Sequence, residues 1–274
     1  MVPAKGIDEK EHKMNAGTRI AVPGATGRLG RHIVDVLEER GYEAVPISRT
    51  HVVDVVSGEG LAEALFGVHT VIDAAAYPSN EQGPATEFFV ASARNLQRLG
   101  AEAGVRQLVV VSIIGIERFT AGFLAAKKVH EQEVVKGPIP VRILRAAQFH
   151  EFVEPLLGWI PQENGVKYVP NMRTQLVAAR SVAEALVDLA TDTEAARAAT
   201  DGEIPEIAGP RAETLVDVAR LVAARHGEAV RIEGVTDPND PDGEAYESGG
   251  LLPGPYATRA GPTYQEWLDG EARQ

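Results

Sequence analysis

The sequence contains no cysteine. Disulfides, thiolate metal sites and a cysteine nucleophile are thereby excluded. Basic residues are scarce beside acidic ones: 27 Lys and Arg stand against 39 Asp and Glu, a formal net charge of −12. That charge opposes the phosphate attraction behind most nonspecific nucleic-acid affinity, so no nucleic-acid partner is expected. Long apolar runs are missing as well. No stretch reaches the roughly 18 apolar residues of a membrane span, and Met1–Gly17 is polar with alternating charge. The expectation is a cytoplasmic protein without a membrane partner, with residues 1–17 a flexible tail. HExxH, GxSxG and carboxylate–histidine clusters at metal-ligand spacing are absent, leaving hydrolase and metal chemistry unsupported.

What is present is ordinary globular material, 44% apolar and 24% charged over 274 residues, enough for one large domain or an α/β domain with a smaller lobe. From Thr18 onward, short β-branched runs alternate with helical spacing, the pattern of βαβ units and a parallel sheet. Strands are expected at 19–22, 43–48, 52–56, 70–76, 107–114 and 141–147. Helices are expected after Leu29, at 61–66, at 86–103 and at 123–135. Beyond Phe152, prolines punctuate the chain. Helices at 181–190 and 215–224, a short strand at 206–208, a long loop over 237–261 and a terminal helix at 263–268 are expected there. The fold class is therefore α/β, a doubly wound parallel sheet with a smaller C-terminal lobe: core 18–152, lobe 153–274, and a segment near 205–209 returning to the core.

Gly24-Ala25-Thr26-Gly27-Arg28-Leu29-Gly30 lies directly between the first strand and the first helix. Glycines there permit a tight turn, close approach of backbone to a pyrophosphate and tight packing of helix on strand. The helix N-terminus adds free N–H groups and a positive dipole. This is a Rossmann-type dinucleotide site. The second strand ends in Ser48-Arg49-Thr50, a cationic fork flanked by hydroxyls, which suits the 2′-phosphate of NADP(H) better than the free hydroxyl of NAD(H). Ala74 and Ala75, closing the strand after Thr70, complete the expected cofactor wall.

Together these motifs resemble the NmrA-like, atypical short-chain dehydrogenase/reductase group, from about Thr18 to the C-terminus. Val53-Asp54-Val55 matches the aspartate near the adenine. Val110-Val111-Ser112-Ile113-Ile114-Gly115 matches the strand bearing the active-site serine, and Arg145-Ala146-Ala147-Gln148-Phe149-His150-Glu151-Phe152 matches the passage into the substrate lobe. The resemblance implies Ser112 as a hydrogen-bond donor to a substrate carbonyl. It implies Lys127 on the nicotinamide ribose. Ile114, Phe123, Gln148, Phe149 and His150 line the substrate pocket in this reading, with His150 a polar or weak acid–base contact.

The catalytic signature departs from the group's Tyr-x-x-x-Lys, in which the lysine lowers the tyrosine's pKa for proton transfer. Here it reads Phe123-Leu124-Ala125-Ala126-Lys127, and Phe123 has no proton to give. Tyr77 is a candidate substitute, or else a pocket wall. Asn95, on a helix facing the sheet, is expected to orient backbone. Three functions stay open: an NAD(P)H-dependent reductase of a quinone-like or conjugated carbonyl, a flavin- and metal-free oxygenase in which the reduced substrate meets oxygen, and a cofactor-sensing regulator. A small-molecule substrate is implied by the first two, and a homo-oligomer is compatible with all three.

Overall fold

The computed structural model describes residues 17–191 and 204–271; of the segment expected to be a tail, only Gly17 falls within them. Five strands lead the chain: β1 (Arg19–Pro23), β2 (Glu43–Ile47), β3 (Thr70–Asp73), β4 (Gln107–Ile113) and β5 (Val141–Ala146). Among them run α1 (Gly30–Glu39), α2 (Leu61–Ala64), α3 (Gln82–Ala103) and α4 (Gly122–Val134). The remainder comprises α5 (His150–Trp159), β6 (Gln162–Glu163), β7 (Val166–Pro170), β8 (Arg173–Thr174), α6 (Ala179–Thr191) and β9 (Glu206–Ala208). It continues through β10 (Glu213–Thr214), α7 (Leu215–His226), β11 (Arg231–Val235), α8 (Gly243–Glu247), β12 (Thr258–Arg259) and α9 (Tyr264–Glu271). None of the described helices is long and apolar enough to cross a membrane.

Seven strands form one parallel sheet in the order β2-β1-β3-β4-β5-β9-β12. Both faces are covered, which explains why the inner strands read as continuous apolar runs. Alternate residues serve opposite faces. Ile20, Val22, Ile72 and Val109 join α1 and α6 in one core, through Ile33, Leu37, Val182 and Leu186. Ala21, Val71, Leu108 and Val110 meet α2 and α3 in the other, through Leu61, Leu65 and Leu96. The chain leaves β1 for β2 on one side and then crosses to β3 on the other, so a crevice opens beyond the carboxyl ends of β1 and β3.

Several expectations are corrected. No strand forms at 52–56: Val52 is left-handed (φ 57°), Asp54 folds the segment by accepting from the Val56 and Ser57 amides, and Asn95 Nδ2 donates to the Val55 and Val56 carbonyls. Helix α3 begins at Gln82, with Pro84 in its first turn, where its missing N–H costs nothing. Where the prolines beyond Phe152 suggest irregular chain, helix α5 forms and contains Pro155. A small sheet, β6-β7-β11, stands apart from the main one, its strands β7 and β11 pairing in parallel from Val166↔Arg231 to Pro170↔Val235. The expected loop over 237–261 contains α8 and β12.

That last segment straps the chain's end onto the core. Asp242, 4% exposed, accepts from the Thr120 amide, the Thr120 hydroxyl and the Ala121 amide at 2.8–3.0 Å, satisfying donors at the N-terminus of α4. Beside it the Tyr246 ring meets Phe119 at 4.7 Å, and Leu251 packs with Ile116, Phe119 and Leu124.

Candidate active site

The turn after β1 is built by exclusion of side chains. Gly24 has φ 78°, and a Cβ there would lie 2.5 Å from the Ala74 carbonyl oxygen. At Gly30 a Cβ would lie 2.0 Å from the Gly24 oxygen. The turn therefore closes only with glycine at both ends, and it is pinned to β2 by the Gly24 amide donating to the Ile47 carbonyl at 2.9 Å. Thr26, Gly27 and Arg28 form its open rim, whereas Leu29 is buried against Ile33 and Val36. The Arg28 guanidinium sits 5.9 Å above the Phe152 ring. This is a backbone cradle at a helix N-terminus, the arrangement that binds phosphate.

At the end of β2, Arg49 is exposed and lies in a short 3₁₀ turn, Arg49–His51. The Ser48 hydroxyl bonds Thr50 Oγ1 at 2.7 Å and His51 Nδ1 at 2.6 Å, so two hydroxyls and an imidazole cluster on the turn that carries Arg49. Asp54 lies on the loop that follows and spends Oδ1 on its own turn. Ala74 and Ala75 pack directly against Gly24, closing one side of the turn.

Ser112 is 2% exposed near the end of β4, and its hydroxyl has no hydrogen-bond partner among the described residues. An orphaned buried hydroxyl is uncommon and marks a place where a polar ligand atom fits. Phe123 begins α4 and meets Phe89 edge-on at 5.5 Å. Tyr77 lies 5.9 Å from Phe88, and these four rings gather around Ala85 and Ala126. In place of a proton-donating phenol at position 123, the chain presents an aromatic wall.

Beneath it lies a cluster the sequence analysis missed. Lys127, 5% exposed, has its ammonium 2.9 Å from His130 Nδ1 and 4.6 Å above the Phe89 ring. His130 stacks on Phe89, and its Nε2 faces Asp73 Oδ2 at 3.4 Å, a distance that works electrostatically rather than as a well-formed hydrogen bond. Asp73 Oδ1 accepts from the Ala75 amide at 3.0 Å. Burial pushes the Lys127 ammonium down to about 8 against the opposing charges of Asp73 and Glu131. Burial, then the Lys127 charge, lowers His130. Burial pushes Asp73 up, but His130, Lys127 and the Ala75 amide outweigh it and leave the carboxyl below its ordinary value. Two signals could have found the cluster: His130 follows Lys127 by three residues, hence on one helix face, and Asp73 is an acid inside an apolar strand.

Other expected site residues lie elsewhere. Ile114 is 1% exposed within the core beside α1, not on a pocket wall. His150 is fully buried; Nε2 donates to the Pro262 carbonyl at 3.2 Å, and its ring packs on Tyr264 and Trp267. Burial pushes it down to about 4, so it is neutral at physiological pH and ties α5 to α9. Gln148 accepts from Thr174 Oγ1 at 2.6 Å, and half-buried Phe149 bridges to Val177, so both join the core to the segment before α6. Among the described residues, no group of three His, Asp or Glu is placed to hold a metal.

No protein-family model matches this chain, and no curated protein matches it at a significant level. Solved structures do resemble it. One is a short-chain dehydrogenase/reductase superfamily protein from Agrobacterium tumefaciens with bound NAD, 17% identical, covering 93% of this chain and 100% of that one, with TM-score 0.64. Another is a dTDP-4-dehydrorhamnose reductase from Bacillus anthracis in complex with NADP, 14% identical over 92% and 98% of the two chains, TM-score 0.64. A third is a nucleoside-diphosphate-sugar epimerase from Staphylococcus aureus, 15% identical over 92% and 99%, TM-score 0.64. At such identities the likeness shows the fold: this chain has the Rossmann-type α/β architecture of those proteins.

Proposed function

We propose that this chain is an NAD(P)H-dependent oxidoreductase, favouring NADP(H), that reduces a quinone-like or other conjugated carbonyl. The pyrophosphate lies over Gly24–Gly30, where added side chains would collide with the turn, and Ser48 and Arg49 take the adenosine 2′-phosphate. Structural neighbours described with bound NAD or in complex with NADP support this reading. When bound, the nicotinamide supplies hydride. Ser112 donates its free hydroxyl to the substrate oxygen, and the Lys127 charge faces the nicotinamide ribose.

The observation that selects the substrate class is Phe123, set in the aromatic wall with Tyr77, Phe88 and Phe89. Hydride delivered to an isolated ketone leaves an alkoxide whose conjugate acid has a pKa of about 16, close to that of water, so an aligned acid matters greatly. A reduced quinone leaves a phenolate-like oxygen, with a pKa of about 10 as for tyrosine, which a hydroxyl stabilises adequately. The flat rings also suit a planar conjugated substrate.

The test is NADPH oxidation with naphtho- and anthraquinones against simple ketones. Quinone-dependent turnover with almost none on ketones is expected. Efficient ketone reduction refutes the substrate class, and cofactor binding without any turnover refutes the enzyme in favour of a sensor. Oxygen uptake matched to NADPH, with an oxygenated product, converts the assignment to an oxygenase.

A further inference from the structure

A lysine, a histidine and a carboxylate buried together are unfavourable unless their geometry compensates for lost hydration. Here the geometry is directional. Lys127 Nζ donates to His130 Nδ1, which leaves the ring proton on Nε2, facing Asp73 Oδ2. Asp73 is itself fixed by the Ala75 amide, and the neighbouring Ala74 carbonyl abuts the Gly24 turn, so the row ends directly under the crevice.

We propose that Asp73 and His130 are positioning residues that hold the Lys127 ammonium, charged, beneath the cofactor crevice, with His130 as a neutral Nε2–H imidazole between them. The inference rests on the dinucleotide reading above and gives it a pH dependence. Two charges act on Lys127. Asp73 at the end of β3 and Glu131 on α4 itself both favour its protonated form. Arg145 on β5 holds Glu131 through two bonds of 2.9–3.0 Å and Glu117 through one of 3.1 Å. From α3, Lys127 meets the Phe89 ring face at 4.6 Å. Replacing Asp73 by asparagine keeps an oxygen for the Ala75 amide and removes the charge, so the ammonium then loses its proton at lower pH.

The experiment follows the side-chain signals of Lys127 by NMR across pH in the intact chain, which has only seven lysines, using Lys127→Met for assignment. In the wild type the Lys127 signal is expected to titrate near pH 8, well below exposed lysines, which titrate at about 10.4. Asp73→Asn should lower that midpoint by about one unit, tenfold in the proton affinity. His130→Gln, which retains an acceptor toward Lys127 and a donor toward Asp73, should leave it nearly unmoved, whereas His130→Leu should lower it. NADPH affinity, read by fluorescence, should weaken as pH rises through the Lys127 midpoint, and this limb should move with it in Asp73→Asn. A Lys127 signal that titrates with the exposed lysines in the wild type overturns the inference, and so does a midpoint indifferent to Asp73→Asn and His130→Leu. Failure of the wild type to bind NADPH defeats the dinucleotide reading instead, and normal binding with an unmoved midpoint defeats only the dyad.

Discussion

Replacing Asp242 by alanine tests how the C-terminal strap acts on the helix that carries Phe123 and Lys127. The carboxylate accepts from three donors at the start of α4 and is itself buried. An ordinary exposed helix cap contributes about 0.5–2 kcal/mol, and one hydrogen bond to a charged acceptor about 1.5–3 kcal/mol. Three such bonds are not additive, because the carboxylate's own desolvation offsets part of them. A loss of about 3 kcal/mol is expected, a large share of the ~5–15 kcal/mol typical of a whole domain. For a domain of this size that corresponds to a fall in Tm of about 6–12 °C. Far-UV circular dichroism melts at neutral pH and matched scan rates measure it, with Asp242→Asn expected to fall between wild type and alanine. Quinone turnover at a temperature where the variant is folded should also drop, because the first turn of α4 frays. A Tm lowered by less than about 2 °C would mean that water satisfies the Thr120 and Ala121 amides and that the strap is dispensable.

The glycine turn separates folding from binding: Gly30→Ala places a methyl within the Gly24 carbonyl and should unfold the turn, whereas Gly27→Val, on the exposed rim, should retain the fold and lose NADPH in a titration. A Gly27→Val variant with unchanged affinity would misplace the phosphate. Arg49→Ala should weaken NADPH about tenfold and NADH little, the charge-assisted contact being discounted for solvent; equal losses in parallel binding titrations would point Arg49 elsewhere. His150, held near 4 in the fold, is expected at about 6.5 when unfolded. Its contribution is complete above pH 6.5 and is lost as pH falls toward 4, by about 3 kcal/mol. His150→Phe should flatten urea-derived stability across that window, and an unchanged slope would contradict the burial argument.

The first 150 residues were legible because covered parallel strands leave little freedom: Val71–Ile72 and Leu108–Val110 supply apolar side chains to both faces. The turn was legible because the positions of Gly24 and Gly30 are dictated by backbone contact. Composition misled at 52–56, where β-branched residues suggested a strand but Asp54 and Asn95 captured the backbone groups that a ladder would need. Prolines beyond Phe152 suggest broken chain, yet α5 accommodates Pro155. The pairing of β7 with β11 joins residues far apart in sequence, for which local periodicity carries no signal. Within the site, the substitution at Phe123 was visible in sequence. The grouping of Lys127 with His130 and Asp73 was not, because Asp73 lies on β3, far from α4 in sequence, and only the fold brings the two elements together.

The interleaving of the sheet with the C-terminal half has a consequence for motion. Enzymes that close by a hinge usually connect their two halves through a few loop residues that absorb the rotation. Here the chain passes out of the sheet after β5, returns as β9, leaves again and comes back as β12, while Gln175 exchanges bonds with Gly209 between these passes. A rotation of one half against the other would break the β5–β9 and β9–β12 pairings together. On the proposed function, the crevice is then expected to act as a fixed mouth rather than a jaw, leaving selection to the side chains and loops at its rim.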